Sequence, residues 1–312
     1  MLSKTDLSHT AHRIRPHIHR TPVMTSRLLN EISGADLYFK CENFQRMGAF
    51  KMRGATNAIL QLTTAQQARG VVTHSSGNFA QALSLAAQSL GVKAYIVMPD
   101  NAPKVKQAAV KGYGGEILLC PPTLADRETS AQKIQSETGA TFIHPSNDDQ
   151  VILGQGTAAL ELLEEEPDLA VLMAPVGGGG LIAGTALAAH HFGQNCITVG
   201  GEPFAVDDAW RSLQSGKIET NETANTIADG LKTQLGDRNF PIIQKLVDRI
   251  IRVEEEEIVN ALRLVWERMK IIIEPSCAVP FAALLREKEA FAGKKVGIVL
   301  SGGNVDLSKL PF

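Results

Sequence analysis

GVVTHSSGNFAQALSLAAQSLGVKAYIVMP, residues 70–99, decides the fold. Two short apolar, β-branched runs, GVVTHSS (70–76) and KAYIVMP (93–99), bracket a helical segment, FAQALSLAAQSLG, that closes on Gly91. A strand covered by helices on both faces reads as a near-continuous apolar run, and glycine favours a helix C-terminus because it accepts positive φ. The stretch is therefore a βαβ unit, whose crossover is right-handed.

The pattern continues outward on both sides. EILLCP (116–121), ATFIHP (140–145), LAVLMAPVGGG (169–179), CITVGGEP (196–203) and KVGIVLSGG (295–303) have the same strand form, and the helical segments APKVKQAAVKGYG and TLADRETSAQKIQSETG also end on glycine. Alternation of this kind builds open parallel sheets with helices on both faces, so the fold class is α/β. At 312 residues the chain exceeds the length at which one core stops growing, which implies two lobes or one large α/β unit. No repeat of fixed length occurs, and the acidic stretches ELLEEEPD and VEEEEIV read as exposed helix segments.

Composition narrows the function. Hydrophobic residues make up 44% and charged residues 21% of the chain, with a net charge of −2, so there is no basic excess to neutralise nucleic-acid phosphates. No uninterrupted apolar run reaches the ~18 residues of a membrane span, and MLSKTDLSHTAHRIRPHIHR lacks a signal-peptide core. Cys41, Cys120, Cys196 and Cys277 are widely spaced, which fits reduced, mostly buried thiols in a cytoplasm rather than a zinc cluster or disulfide scaffold. His9, His12, His17 and His19 flank Pro16 without cysteine or carboxylate in zinc-like spacing, so a solvated or capping role is expected for them.

Ligands of open parallel sheets gather beyond the carboxyl ends of the strands, and three loops there stand out. In VTHSSGNFAQA, Ser75, Ser76, Gly77 and Asn78 follow a strand and open a helix, where free N–H groups and hydroxyls suit a carboxylate or phosphate. In APVGGGGLIAG, Gly177, Gly178, Gly179 and Gly180 carry no Cβ to keep the backbone from an oxyanion, which reads either as a phosphate cradle or as a tight turn. It is neither a dinucleotide fingerprint nor a Walker loop. In IVLSGGNVD, Ser301 ends the last strand; alone, that loop reads as a turn. Between small residues in FQRMGAFKMRGA stands Lys51, which by itself reads as a solvated lysine near a helix start. Together, a phosphate cradle, a carboxylate nest and one lysine amid small residues point to a phosphorylated aldehyde held as a Schiff base, chemistry that suits an amine whose pKa burial lowers.

From about residue 15 onward the chain resembles the fold type II pyridoxal phosphate enzymes, in the branch of serine racemases and serine/threonine dehydratases. The likeness rests on FKCENFQRMGAFKMRGA, THSSGNFAQAL, GQGTAALELL, PVGGGGLIAG, TIADGL, LVWERMKIIIEPS and VLSGGNVDL. It implies two open twisted parallel-sheet domains of the tryptophan synthase β-subunit type: residues 1–69 and 148–312 as a large cofactor-binding domain, and residues 70–147 as a small mobile one. It also implies a homodimer without a regulatory domain. Lys51 would carry pyridoxal 5'-phosphate, Phe50 would pack beside the ring, Asn78 would bond the ring hydroxyl, Gly177 to Gly180 with the Leu181 amide would hold the phosphate, and Ser301 would face the pyridine nitrogen. Glu202, Asp208 and the Val206 carbonyl would bind a divalent cation, Mg²⁺, Ca²⁺ or Mn²⁺, for which oxygen ligands are suited.

The implied reaction is removal of the Cα proton by Lys51 while Ser75, Ser76 and Asn78 hold the substrate carboxylate, then loss of the β-hydroxyl, giving a 2-oxo acid and ammonia. Ser76 would serve the opposite face in a racemase. Arg127, in LADRETSA, would pair a second carboxylate such as that of 3-hydroxyaspartate, or stand as a helix-surface arginine among charges. Phe79 and Ala80 replace the racemases' usual His-Gly, Ser146 replaces a common asparagine beside the substrate pocket, and Arg46 and Met47 depart from the segment linked to nucleotide activation, so no ATP site is expected. The expected activity is a dehydratase acting on L-serine, L-threonine or 3-hydroxyaspartate. The alternatives are a serine racemase, a β-replacement enzyme or a non-catalytic binding protein.

Overall fold

Ten strands form two sheets among residues 2–307 and 310–312, which the computed structural model describes. In chain order they are β1 Val23–Met24, β2 Asp36–Cys41, β3 Val71–His74, β4 Ala94–Pro99, β5 Glu116–Cys120, β6 Thr141–Phe142, β7 Val171–Pro175, β8 Ile197–Pro203, β9 Val247–Val253 and β10 Lys295–Leu300. The larger sheet runs β1-β2-β10-β7-β8-β9, parallel except for β1, and the smaller runs β5-β4-β3-β6, all parallel. This is the α/β architecture of open parallel sheets that the alternation predicts, divided into two sheets as the resemblance implies.

All seven apolar runs read from the sequence are strands, and three further strands escape that reading. In β2, Lys40 interrupts DLYFKC, yet it is fully buried because Glu161 pairs with its Nζ at 2.8 Å. In β9, Asp248, Arg249 and Arg252 break the pattern because VDRIIRV is the edge strand of its sheet. β1 has only two residues and leaves no period to read.

Sheet order predicts where a ligand gathers. In the larger sheet the chain passes from β7 to β8 to β9 on one side of β7 and returns as β10 on the other. The loops after β7 and β10 therefore part at a switch point and leave a crevice. In the smaller sheet β3 is that point, with β4 on one side and β6 on the other. The loops after β3, β7 and β10 are the three singled out by their composition.

Three helices set the distances within the crevice. The lysine helix (Lys51–Leu60) packs on the central helix (Asp149–Glu165), which packs on the glycine-loop helix (Gly180–Phe192). A Cβ on Gly154 would lie 2.5 Å from the Cα of Gly54, and one on Gly156 would lie 2.7 Å from the Gly184 carbonyl oxygen, so the helices meet backbone to backbone. The start of the lysine helix is clamped by fully buried Arg53. Its guanidinium meets both oxygens of Glu42, at 2.7 and 2.8 Å, and both oxygens of Glu161, each at 2.8 Å.

Candidate active site

Lys51 opens its helix at the carboxyl end of β10. Phe50 N–H donates to the Ser301 carbonyl at 3.0 Å, and Ala49 bridges Gly302, so the lysine and the loop after the last strand are tied by backbone. Lys51 Nζ donates to the Pro145 carbonyl at 2.8 Å and lies 5.0 Å from the ring centroid of Phe50 and 5.7 Å from that of Phe79. Burial lowers its pKa to about 8, with the carboxylate of Glu274 pulling the other way. A free amine is thereby accessible near neutral pH.

The Phe50 ring is buried with Val176, Leu181 and Val299 in the core behind the glycine loop. That loop joins β7 to the glycine-loop helix, whose first N–H groups have no acceptor within the helix. Its lack of side chains is enforced by its neighbours. A Cβ on Gly178 would lie 2.5 Å from Ser146 Oγ, one on Gly180 2.8 Å from the Ser146 carbonyl oxygen, and one on Gly177 2.8 Å from the Cα of Leu231. Gly179 has φ +80°, which only glycine adopts cheaply. Ser146 is thus buried against the glycine loop, next to the Pro145 carbonyl that receives Lys51, and this dipeptide spans the two halves of the site. Asn239 joins it there, donating from Nδ2 to the Gly178 carbonyl at 2.9 Å and to the Ser146 carbonyl at 3.3 Å.

Ser75, Ser76 and Asn78 occupy the turn from β3 into the helix Asn78–Ser89, and all three are half-buried. Asn78 Nδ2 donates to both oxygens of Glu274, at 2.9 and 3.1 Å, and its Oδ1 accepts from Asn304 Nδ2 at 2.9 Å. Burial, followed by the negative charge of Asp229, raises the pKa of Glu274 to about 7. His144 lies two residues before Ser146; its Nδ1 accepts from the Ser146 and Asn147 N–H groups at 3.1 and 2.8 Å. Burial, His74 and Lys51 lower its pKa to about 4, so it is a neutral imidazole with its proton on Nε2. Arg127 is half-buried on the helix Leu124–Thr138 and near enough to His74 to help burial lower that histidine's pKa. Its Nε donates to the Thr123 carbonyl at 3.3 Å, and it makes no salt bridge among the described residues.

Glu202 and Asp208 lie apart from this crevice, fully buried at the end of β8 and the start of the helix Asp208–Ser215. Glu202 accepts from the Ala209 and Trp210 N–H groups at 3.0 and 2.8 Å and so caps that helix; Asp208 accepts from Asn221 and from Leu235 N–H. Burial, then Asp208, holds Glu202 well above the usual carboxylate range, and burial raises Asp208 to about 6. Val206 is buried between them in sequence. Among the described residues no group of three His, Cys, Asp or Glu side chains is arranged to hold a metal ion.

Glu274, Asn304, Asn239 and His144 were not anticipated as site residues. The first two do fall in quoted motifs, but Glu-Pro in IIIEPS reads as a helix start and the asparagine of SGGN as a turn residue. Their partners are far away in the chain.

A lysine with a lowered pKa, beside a glycine loop at a helix N-terminus and a serine closing the last strand, provides both the amine and the anion site that a phosphorylated aldehyde needs. The chain belongs to the pyridoxal-phosphate dependent enzyme family, whose pattern it matches over residues 14–302. It is 49% identical over 300 residues to the β-hydroxyaspartate dehydratase of Paracoccus denitrificans, covering 96% of this chain and 95% of that one. It is 47% identical over 305 residues to the L-threo-3-hydroxyaspartate ammonia-lyase of Saccharomyces cerevisiae, covering 97% and 94%. The crystal structure of the serine racemase from Dictyostelium discoideum superposes with a TM-score of 0.93 at 49% identity, covering 97% of this chain and 98% of that one. Among the described residues no helix is long and apolar enough to cross a membrane.

Proposed function

We propose that the protein is a dehydratase, an ammonia-lyase that converts a β-hydroxy amino acid to a 2-oxo acid and ammonia, with 3-hydroxyaspartate, L-serine and L-threonine as the substrate class. The observation that carries this reading is Lys51 Nζ, shielded by two aromatic rings and turned toward the Pro145–Ser146 step that backs the glycine loop. Pyridoxal 5'-phosphate supplies an aldehyde for the substrate amine and an electron sink for the charge left when the Cα proton departs. Gly177, Gly178, Gly179 and Gly180 with the Leu181 amide would hold its phosphate, Phe50 would pack beside its ring, Asn78 would bond its ring oxygen and Ser301 would face its pyridine nitrogen.

The chain's own groups then divide the work. The hydroxyls of Ser75 and Ser76 and the backbone N–H of Asn78, at the N-terminus of its helix, bind the substrate carboxylate. Lys51 Nζ takes the Cα proton as a free amine, which its lowered pKa favours. The Cβ–O bond breaks, the hydroxyl leaves as water with the proton that Lys51 took from Cα, and hydrolysis of the resulting enamine releases ammonia and the 2-oxo acid. Arg127, a half-buried cation without a salt bridge among the described residues, pairs a second carboxylate, which is why 3-hydroxyaspartate leads the substrate class. Ser146 borders the same pocket. A small mobile domain, residues 70–147, closes over the substrate.

Racemisation of serine is the second reading, supported by the half-buried Ser76 hydroxyl in the turn after β3, a group that can carry a proton to the other face of Cα. Glu202, Asp208 and the Val206 carbonyl would hold Mg²⁺, Ca²⁺ or Mn²⁺; burial makes both carboxylates costly to ionise without a cation. A cytoplasmic homodimer completes the proposal, supported by the exposed Phe44 and Ile272, linked through the Asn43–Ile272 hydrogen bond.

The test is release of 2-oxo acid from 3-hydroxyaspartate, L-serine, L-threonine and D-serine, with and without Mg²⁺, together with chiral analysis of the unreacted amino acid. Release from 3-hydroxyaspartate above the others supports the dehydratase. Inversion of serine without release makes it a racemase, and exchange of O-acetylserine with sulfide in place of either would sink the reading.

A further inference from the structure

Asn78 sits between two groups that settle which way its amide faces. A carboxyl group, ionised or holding one proton, keeps at least one acceptor-only oxygen, so the Asn78 atom straddling both Glu274 oxygens, at 2.9 and 3.1 Å, is Nδ2 and not Oδ1. The opposite end is settled in the same way. Asn304 Nδ2 donates both to the Met47 carbonyl, another pure acceptor, and to Asn78 Oδ1, each at 2.9 Å. The Met47 carbonyl and the paired Glu274 oxygens therefore fix the orientation of both amides.

Two glycines make room for this arrangement. A Cβ on Gly302 would lie 2.9 Å from Glu274 Oε1, and one on Gly48, whose φ is +77°, would lie 2.8 Å from Asn304 Oδ1. Glu274 is 5% exposed and lies on the larger-sheet side, as does Asn304, whereas Asn78 begins the helix after β3 on the smaller-sheet side. With Oδ1 engaged by Asn304 and one N–H directed at Glu274, the amide keeps a single unused donor, the second N–H of Nδ2.

We infer that Glu274 and Asn304 are positioning residues that lock the Asn78 amide so that it offers only an N–H to the cofactor's ring oxygen, which is thereby bound as an anion. This deepens the reading above, because it rests on Asn78 facing that oxygen. An amide free to turn would present its Oδ1 half of the time and favour the protonated oxygen instead. The lock turns a side chain indifferent to charge into one that selects the ring anion.

Asn304→Asp tests the lock because it replaces the donor facing Asn78 Oδ1 with an acceptor, and Glu274→Gln tests it from the other side by adding a donor that Oδ1 can take. Apo protein is titrated with pyridoxal 5'-phosphate for its dissociation constant, and the pH midpoint of the bound cofactor's visible band is then recorded. Loss of one hydrogen bond to a charged group predicts about tenfold weaker cofactor binding and a band midpoint about one pH unit higher in Asn304→Asp. Glu274→Gln shifts both in the same direction by less. Asn304→Ala, at an exposed position where folding is not at stake, gives the smaller form of the Asn304→Asp effect. Asn78→Ala is the reference: should it shift both readouts while all three other variants stay within about twofold in dissociation constant, the lock is refuted and the reading of Asn78 stands. No shift in Asn78→Ala itself overturns the placement of Asn78 against the cofactor, and the lock with it.

Discussion

Replacing Arg53 with methionine should destabilise the chain severely, and the structure says where the cost falls. Arg53 is fully buried, and its guanidinium holds Glu42 through 2.7 and 2.8 Å contacts, Glu161 through two of 2.8 Å, and Thr157 Oγ1 at 3.2 Å. Methionine fills a similar volume without charge, so packing changes little. Glu161 keeps a cation, because Lys40 Nζ lies 2.8 Å from its Oε2. Glu42, also fully buried, keeps among the described residues only the Thr21 hydroxyl, which donates to its Oε1 at 2.5 Å. One carboxylate is stranded, and breaking a buried pair in this way costs about 3–5 kcal/mol. With an unfolding entropy of about 2.1 cal/mol/K per residue, that is a drop of about 5–8 °C in melting midpoint for a chain of this length. Adding Glu42→Gln to Arg53→Met removes the stranded charge and should recover about half of the loss, since most of the cost of breaking such a pair is the bare ion and not the missing contact. Calorimetry of the parent, the single variant and the double variant decides it. A single variant melting within about 1.5 °C of the parent, or a double variant no better than the single, would refute the reasoning that unpaired buried charge is what Arg53 prevents.

The same structure yields four further expectations. In the apo chain Lys51 should react with an amine-modifying reagent with a midpoint near pH 8 rather than 10.5. Because its folded pKa lies below the unfolded value, its contribution makes stability rise as pH increases from about 8 to 10.5, which melting across that window checks. Gly154→Ala forces a Cβ to within 2.5 Å of the Gly54 Cα and should cost about 1–3 kcal/mol by melting, with weaker cofactor binding because the lysine helix is pushed from the glycine loop. Arg127→Leu should lower kcat/KM for 3-hydroxyaspartate about 10- to 100-fold while leaving that for L-serine nearly unchanged, since only the former carries a second carboxylate. Mg²⁺ at a hundredfold excess over its Kd should stabilise the parent by about 2.7 kcal/mol, and chelation should remove this. Asp208→Asn should abolish the response to Mg²⁺, and an unchanged response would remove Asp208 from the cation site.

The sequence by itself determined what local order can encode. Seven strands were legible because each is a continuous apolar run closed by a turn signal, and the Ser75–Asn78 turn and the glycine loop because each follows from residue types adjacent in the chain; Lys51, which alone reads as a solvated lysine, was singled out only by its conjunction with those loops. Tertiary structure alone decided the rest. Lys40 is tolerable inside β2 only because Glu161, on the central helix, comes to meet it, and nothing in DLYFKC records that partner. The resemblance puts Ser146 beside the substrate pocket, and the fold also presses it into the wall of the glycine loop. The orientation of the Asn78 amide depends on Glu274 and Asn304, 196 and 226 residues away in the chain. A hydrogen bond acts over about 3 Å, so its partner is chosen by which loops the sheet order brings to one crevice and not by nearness in sequence.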